Sequence, residues 1–206
     1  MPHFSKNRGI LRAEAMYMKQ EDRVRQTKQA FRMALLHFLQ EKPINKVTIA
    51  DLTGFTGYNR STFYLYYHDI YELKDDLEHT VLEEIHARMV RHPLEEMKES
   101  IVPLIYDMFD YADRNREVFH TLSNNKSYRE LTDGVYALLR DFCYSSWDQV
   151  FPGANKEKYD LYFHFISSGM TSAVFYWITD GKETIDEVAR ATAEMVYAGN
   201  RILFDD

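Results

Sequence analysis

The chain has 206 residues, 45% of them hydrophobic, with 8 Gly and 5 Pro, which suits one large domain, or a small one and a larger one, rather than a linker-rich chain. Its net charge of −7 is unevenly spread: residues 1 to 74 carry 12 Lys/Arg against 7 Asp/Glu, while the rest carry 13 against 25. A basic head on an acidic body is the split expected if only the head meets a polyanion.

No apolar run approaches the roughly 20 residues of a membrane span, so no membrane partner is expected. The basic N-terminus has no apolar stretch of the secretory kind. The lone Cys143 excludes an intrachain disulfide framework and fits a cytoplasmic protein. It reads as a small buried hydrophobe rather than a redox group.

Residues 1–20 lack clear periodicity and carry Lys6, Arg8, Arg12 and Lys19 against the single acid Glu14. They read as a flexible basic arm, and Met16 or Met18 could serve as an alternative start. The first helix is expected from about Glu21 to Glu41, with Val24, Phe31, Ala34, Leu35, Phe38 and Leu39 at helical spacing and Pro43 ending it. Thr48 is a good N-cap for a second, short helix ending near Phe55 or Thr56. Asp51 can complete a capping box, and Val47 and Leu52 stand where a hydrophobic staple would. Gly57 permits a sharp turn with positive φ. Asn59 caps a third helix of about seven residues, and a fourth runs from near Ile70 to about Arg91.

Two short helices joined by a tight glycine turn are a helix-turn-helix pattern. In that unit the second helix enters the major groove by its N-terminal end. Arg60, Ser61 and Thr62 form that end. Arginine can pair with guanine in bidentate fashion, and hydroxyls can bond to several bases or to phosphate. Phe63 and Tyr67, four apart, would anchor a helix too short to stand alone. Tyr64 and Tyr66 would point elsewhere, with hydroxyls free for phosphate, and Leu65 could touch a thymine methyl. The plain alternative makes every ring a core residue, but it leaves the capped polar run unexplained.

"VTIADLTGFTGYNRSTFYLYYHDIYEL" resembles the DNA-binding domain of the TetR/AcrR family of transcriptional regulators over about residues 21–75. "STFYLYY" stands at the place of that family's T-[LF]-Y-x-[HY]-[FY] pattern. The resemblance implies base or phosphate contacts by Arg60, Ser61, Thr62 and Tyr64, and phosphate contacts by Thr48 and Tyr66. Arg23, Lys28 and Lys46 are further phosphate candidates. The family often has a lysine at the start of the fourth helix, where this chain has Ile70. Lys74, one turn on, and His68 are the candidates to replace it.

After Pro93 the chain reads as all helix, with segments near 100–113, 115–122, 126–149, 157–180 and 184–202. Turn signals separate them: Asn115, Asn124-Asn125, Phe151-Pro152-Gly153 and Asp180-Gly181. With the first four helices this gives about nine and an all-α fold, and the resemblance implies that residues 76–206 are a helical ligand-binding and dimerisation domain. Tyr162, Phe165, Gly169, Ala173 and Tyr176 recur at spacings of three or four. Ile185, Val188, Ala189, Thr192, Met195, Val196 and Gly199 make a second stripe. Two such helices from each of two chains could form a four-helix interface, or both stripes could serve the chain's own core. The C-terminal segment also resembles one branch of the family, which includes a dihydroxyacetone-utilisation regulator. Phe119, Tyr128, Tyr136, Phe142, Tyr159, Phe163 and Trp177 could line a pocket for a small-molecule effector or belong to the core.

Enzymatic readings find little support. His79, Glu83 and His86 share a helix face opposite the buried stripe and lack further metal ligands. There is no glycine-rich phosphate loop and no nucleophile turn, so neither cofactor nor metal is expected. These features together point to a homodimeric, ligand-responsive DNA-binding regulator, a repressor acting on a palindromic operator. The alternative is a protein-binding adaptor or coactivator of the same fold with little affinity for DNA.

Overall fold

Apolar residues at helical spacing run through nearly every segment, and the computed structural model is built of ten α-helices, with no strand among the described residues. The structure describes residues 3–123, 127–150 and 152–204. The expected turn at Asn124-Asn125, Phe151 and the side chain of Tyr128 lie outside the described residues. The chain divides into two compact units, Met1–Leu77 and Glu78–Asp206.

The first unit holds α1 (His3–Glu41), a 3-10 turn at Ile44–Lys46, α2 (Ile49–Thr56), α3 (Arg60–Tyr64) and the opening turns of α4 (Ile70–Met89). α1 begins earlier than its apolar stripe does, so residues 3–20 have helical backbone instead of forming an irregular arm. They contain one Gly and no Pro, a composition whose propensity allows the helix to extend. The buried stripe starts only at Thr27 and continues through Phe31, Ala34, Leu35, Leu36 and Leu39.

The second unit contains the rest of α4, α5 (Leu94–Glu99), α6 (Val102–Arg114), α7 (Arg116–Ser123), α8 (Ser127–Val150), α9 (Lys156–Asp180) and α10 (Ile185–Asn200). α5 was not expected. It is a six-residue helix with Pro93 at its N-cap, Glu95 and Glu96 in the first turn and Met97 buried. Six residues are too few for periodicity to register, although the Pro and acid pattern at its start is a helix signal.

α6 and α9 both pack on α10, and α7 and α8 lie against α9. Tyr159, Tyr162, Phe163 and Leu203 form a core cluster beside Tyr136, Leu139, Cys143 and Ile166. Where α8 passes α4, a Cβ on Gly134 would lie 2.6 Å from a Leu82 methyl, so the two helices meet at a residue without a side chain. α10 opens on a capping box, Thr184 with Glu187.

Candidate nucleic-acid interface

The helix-turn-helix is assembled from local hydrogen bonds around a ring cluster. Thr48 caps α2: its hydroxyl accepts the Asp51 N–H at 3.1 Å, and its own N–H and hydroxyl donate to Asp51 Oδ2, both at 2.8 Å. Lys42 Nζ donates to the same oxygen at 2.7 Å. The Lys42 and Thr48 hydrogen bonds hold the Asp51 carboxyl down at about 2. Val47 and Leu52, the expected staple, are both buried. Gly57 turns the chain with φ 74°, the left-handed region.

α3 is shorter than expected. It runs for five residues, because the N–H groups of Tyr66 and Tyr67 both turn back onto the Phe63 carbonyl. Its anchor is as read: Phe63 is 0% and Tyr67 2% exposed. Phe31 of α1 meets Phe63 edge-on at 5.4 Å, Tyr67 at 6.5 Å and Tyr58 at 5.6 Å. Burying such a ring is worth about 3–5 kcal/mol against alanine, enough to order a helix this short.

The exposed side carries the polar run. Asn59 Oδ1 accepts three donors: the Thr62 N–H at 2.8 Å, the Ser61 hydroxyl at 2.6 Å and the Thr62 hydroxyl at 2.9 Å. The cap therefore also orients the two hydroxyls beside Arg60. Arg60, Ser61, Tyr64 and Leu65 are exposed, Leu65 by 73%, while Thr62 and Tyr66 are half-buried. Tyr66 lies beyond the end of α3. Thr48 is exposed, but its hydroxyl already serves the cap.

Two expected phosphate contacts are committed elsewhere. Lys28 Nζ donates to Asp76 Oδ1 at 2.9 Å and lies over the Tyr67 ring. Arg32 and the Tyr67 hydroxyl hold the other Asp76 oxygen at 3.0 and 2.8 Å. Burial alone would raise the Asp76 carboxyl, but hydrogen bonds from Lys28 and Tyr67 and the charges of Lys28 and Arg32 outweigh it, so it lies below the usual range. Lys74 is buried, 3.7 Å from Asp75. It adjoins buried Leu73 on α4, so it does not stand in on the surface for the lysine absent at Ile70. His68 is exposed, and its N–H donates to Glu72. Arg23, Lys46 and Arg60 are exposed and make no ion pair among the described residues; Lys19 is a fourth such cation.

In the second unit the two C-terminal stripes divide between inside and outside. Tyr162, Thr192 and Val196 lie in the chain's own core, and the Tyr162 hydroxyl donates to the Val196 carbonyl at 2.9 Å. Ile185, Val188 and Ala173 are half-buried, while Phe165 and Gly169 are exposed. The reason is geometric: the face of α9 that packs inward runs through Tyr159, Phe163, Ser167 and Ile178, and Tyr162 falls at its margin. The apolar side chains left outside include Leu161, Phe165 and Tyr176 on α9, Met195 and Tyr197 on α10, and Ile202 and Phe204 beyond it. Sequence reasoning missed Leu161, although it stands one turn before Phe165 on the same face, and Ile202, which lies past Gly199, the last residue of the second stripe.

Among the described residues an open groove of about 890 Å³ lies along Leu161, Phe165 and Ile202, and two cavities, more enclosed and mainly apolar, lie inside this unit. The larger of these two, about 320 Å³, opens among α5, α6, α8, α9 and α10. Phe142, Cys143, Tyr159 and Phe163 belong to its wall. The smaller, about 90 Å³, includes Phe119 and shares Met89, Leu104, Leu139 and Met170 with the first. Trp177 is core, edge-on to Phe109. Burial pushes the Cys143 thiol up to about 11, against a hydrogen bond with Tyr159, as suits an unreactive buried thiol. His79 pairs with Glu83 at 3.1 Å on the surface. Among the described residues no group of three His, Cys, Asp or Glu could hold a metal ion, and no helix is long and apolar enough to cross a membrane.

A short helix-turn-helix unit joined to a larger helical unit defines the class of two-part helix-turn-helix regulators. A family described as "Transcriptional regulator C-terminal region" matches residues 99–198. That region is therefore the C-terminal part of a TetR-type transcriptional regulator, and the chain shares the all-helical fold of TetR-family regulators. It is similar in fold to a TetR transcriptional regulator from Streptococcus agalactiae 2603V, with TM-score 0.61 and 19% identity over 87% of this chain and 98% of that one. It is similar to a TetR-family regulator from Streptomyces coelicolor, with TM-score 0.68 and 15% identity over 88% and 84%. It is also similar to the dihydroxyacetone kinase operon activator DhaS, with TM-score 0.64 and 12% identity over 86% and 97%. No curated protein matches the chain in sequence.

Proposed function

We propose that the chain is a cytoplasmic, homodimeric repressor that binds a palindromic operator and releases it when a small molecule occupies the body. The observation that carries this reading is the exposed Arg60-Ser61-Thr62 end of α3, capped by Asn59 and held on buried Phe63 and Tyr67. Arg60 would read base edges, Ser61 and Thr62 bases or phosphate, and Tyr64, Tyr66, Lys46, Thr48 and Arg23 the backbone on either side. A helix of five residues reads few base pairs, so a twofold pair reading half-sites about 34–36 Å apart is needed for specificity. The exposed Leu161, Phe165, Tyr176 and Met195 support a dimer face on α9 and α10. For a ligand to release the operator, it must bind the released state more tightly than the DNA-bound one. No step in this reading is catalytic.

The test is binding to DNA upstream of the chain's own gene, across a salt series. A slope of several counterions and a palindromic footprint are expected. The double variant Arg60→Ala with Tyr64→Ala should lose the footprint while its sedimentation stays dimeric; an unchanged footprint would rule out α3 as the reading helix. The sign of regulation follows from a reporter, which rises on deletion of a repressor and falls on deletion of an activator such as the DhaS neighbour. Ile70 and the burial of Lys74 favour a second reading, an adaptor that acts through protein contacts. No DNA binding even at low salt would select it.

A further inference from the structure

The larger of the two enclosed cavities in the second unit has an uneven chemistry. Its wall is mostly Leu, Ile, Met and aromatic side chains, and among the described residues Lys98 is the only charged one lining it. The polar groups at its exposed edge are linked through one short stretch. Lys98 stands three residues before Ile101, whose N–H donates to the Tyr197 hydroxyl at 2.6 Å, and Asn200 follows Tyr197 by one turn of α10. Each can still donate outward. Lys98 Nζ lies 3.0 and 3.3 Å from the two oxygens of Glu95, but an ammonium has three hydrogens. Tyr197 accepts from Ile101 and keeps its own proton to give. The Asn200 amide has two hydrogens and no side-chain partner among the described residues. Deeper in, the Tyr162 hydroxyl has given its proton to the Val196 carbonyl.

We infer that the ligand of this cavity is an amphipathic monoanion, an apolar carboxylic acid with its carboxylate at the Lys98–Tyr197–Asn200 edge and its apolar part among Leu139, Phe163 and Met170. The inference rests on the ligand-responsive reading above. A cavity of about 320 Å³ takes about ten methylene-sized groups, at about 30 Å³ each, the share of one water in the liquid. A triose or another small polyol fits poorly, because its hydroxyls would be buried against thioethers and rings without partners.

Calorimetric titration of the full chain with decanoate, 1-decanol and glycerol, all below micellar concentration, tests this. Decanoate should bind once per chain, decanol at least tenfold more weakly, and glycerol not at all. Lys98→Met should weaken decanoate at least tenfold, leave decanol unchanged and keep the wild-type melting temperature. Failure of decanoate to bind, equal affinity for decanol, or wild-type affinity in the variant would each overturn the inference. Operator binding, measured separately, distinguishes the two readings. If saturating decanoate leaves DNA affinity unchanged, the ligand class stands and the ligand-responsive reading fails. If a neutral molecule releases the operator while decanoate does not bind, the ligand-responsive reading stands and the ligand class fails.

Discussion

Single residues in the first unit act through backbone geometry and charge, and their effects differ accordingly. At Gly57 a Cβ would meet nothing within 4 Å, so substitution costs only the strain of φ 74°. Gly57→Ala should destabilise the unit by about 1–2 kcal/mol in urea unfolding, with the fold retained. Asp51 acts through charge. Its folded carboxyl lies at about 2, below the unfolded value of about 3.9. The stability it contributes is therefore full above pH 4 and is lost as pH falls through about 2. Asp51→Asn should lower the melting temperature at pH 7, and the gap to wild type should narrow steadily between pH 4 and pH 2. A gap independent of pH would show that the carboxylate's charge has no part in the cap. The Thr48–Asp51 box was legible in sequence because a cap needs only neighbours three residues apart. Asp76 was not, because its partners Lys28 and Arg32 lie 48 and 44 residues away.

At the scale of elements, α3 shows what short helices depend on. Its five residues cannot hold a helical turn alone, and Phe31, Phe63 and Tyr67 supply the missing stability. Phe63→Ala should cost about 3–5 kcal/mol and abolish operator binding, while circular dichroism keeps the signal of the second unit. Operator binding at wild-type strength in this variant would mean that α3 is held by something other than its rings. Helix positions and the α3 anchor were readable from periodicity and caps, since both are local. The extent of α1 and the existence of α5 were not: the sequence of one shows no clear apolar period over residues 1–20, and the other is too short to show a period. The C-terminal stripes were legible only in part, for a related reason. Spacing of three or four identifies a face without saying whether it meets this chain or another, and Tyr162, at the margin of the inward face, satisfied both.

The whole molecule adds the link between charge, association and reading. Much of the basic excess in the first unit is neutralised internally: Asp76 takes Lys28 and Arg32, Asp51 takes Lys42, and Asp22 takes Arg25. Among this unit's residues with described side chains, the exposed cations outside these pairs are Arg60, Arg23, Lys46 and Lys19, so the salt dependence of operator binding should draw on these and not on every basic residue. Lys46→Ala should therefore flatten the salt slope by about one counterion per chain, whereas Lys28→Ala should act mainly through stability. On the opposite unit, Phe165→Glu places a charge on the proposed twofold face and meets its own copy there. Sedimentation should show monomers, and operator affinity should fall by at least tenfold although α3 is untouched. A dimeric Phe165→Glu variant would move the interface off this part of α9.

The chain has one sulfhydryl in all, and it sits in the wall of the cavity. With its thiol at about 11, only about one molecule in ten thousand is thiolate at neutral pH, so alkylation there is slow and follows the opening of the pocket. A thiol-specific reagent that labels the protein has therefore labelled that wall. The rate at which it does so is a clock for occupancy, readable by mass alone before any effector has been named.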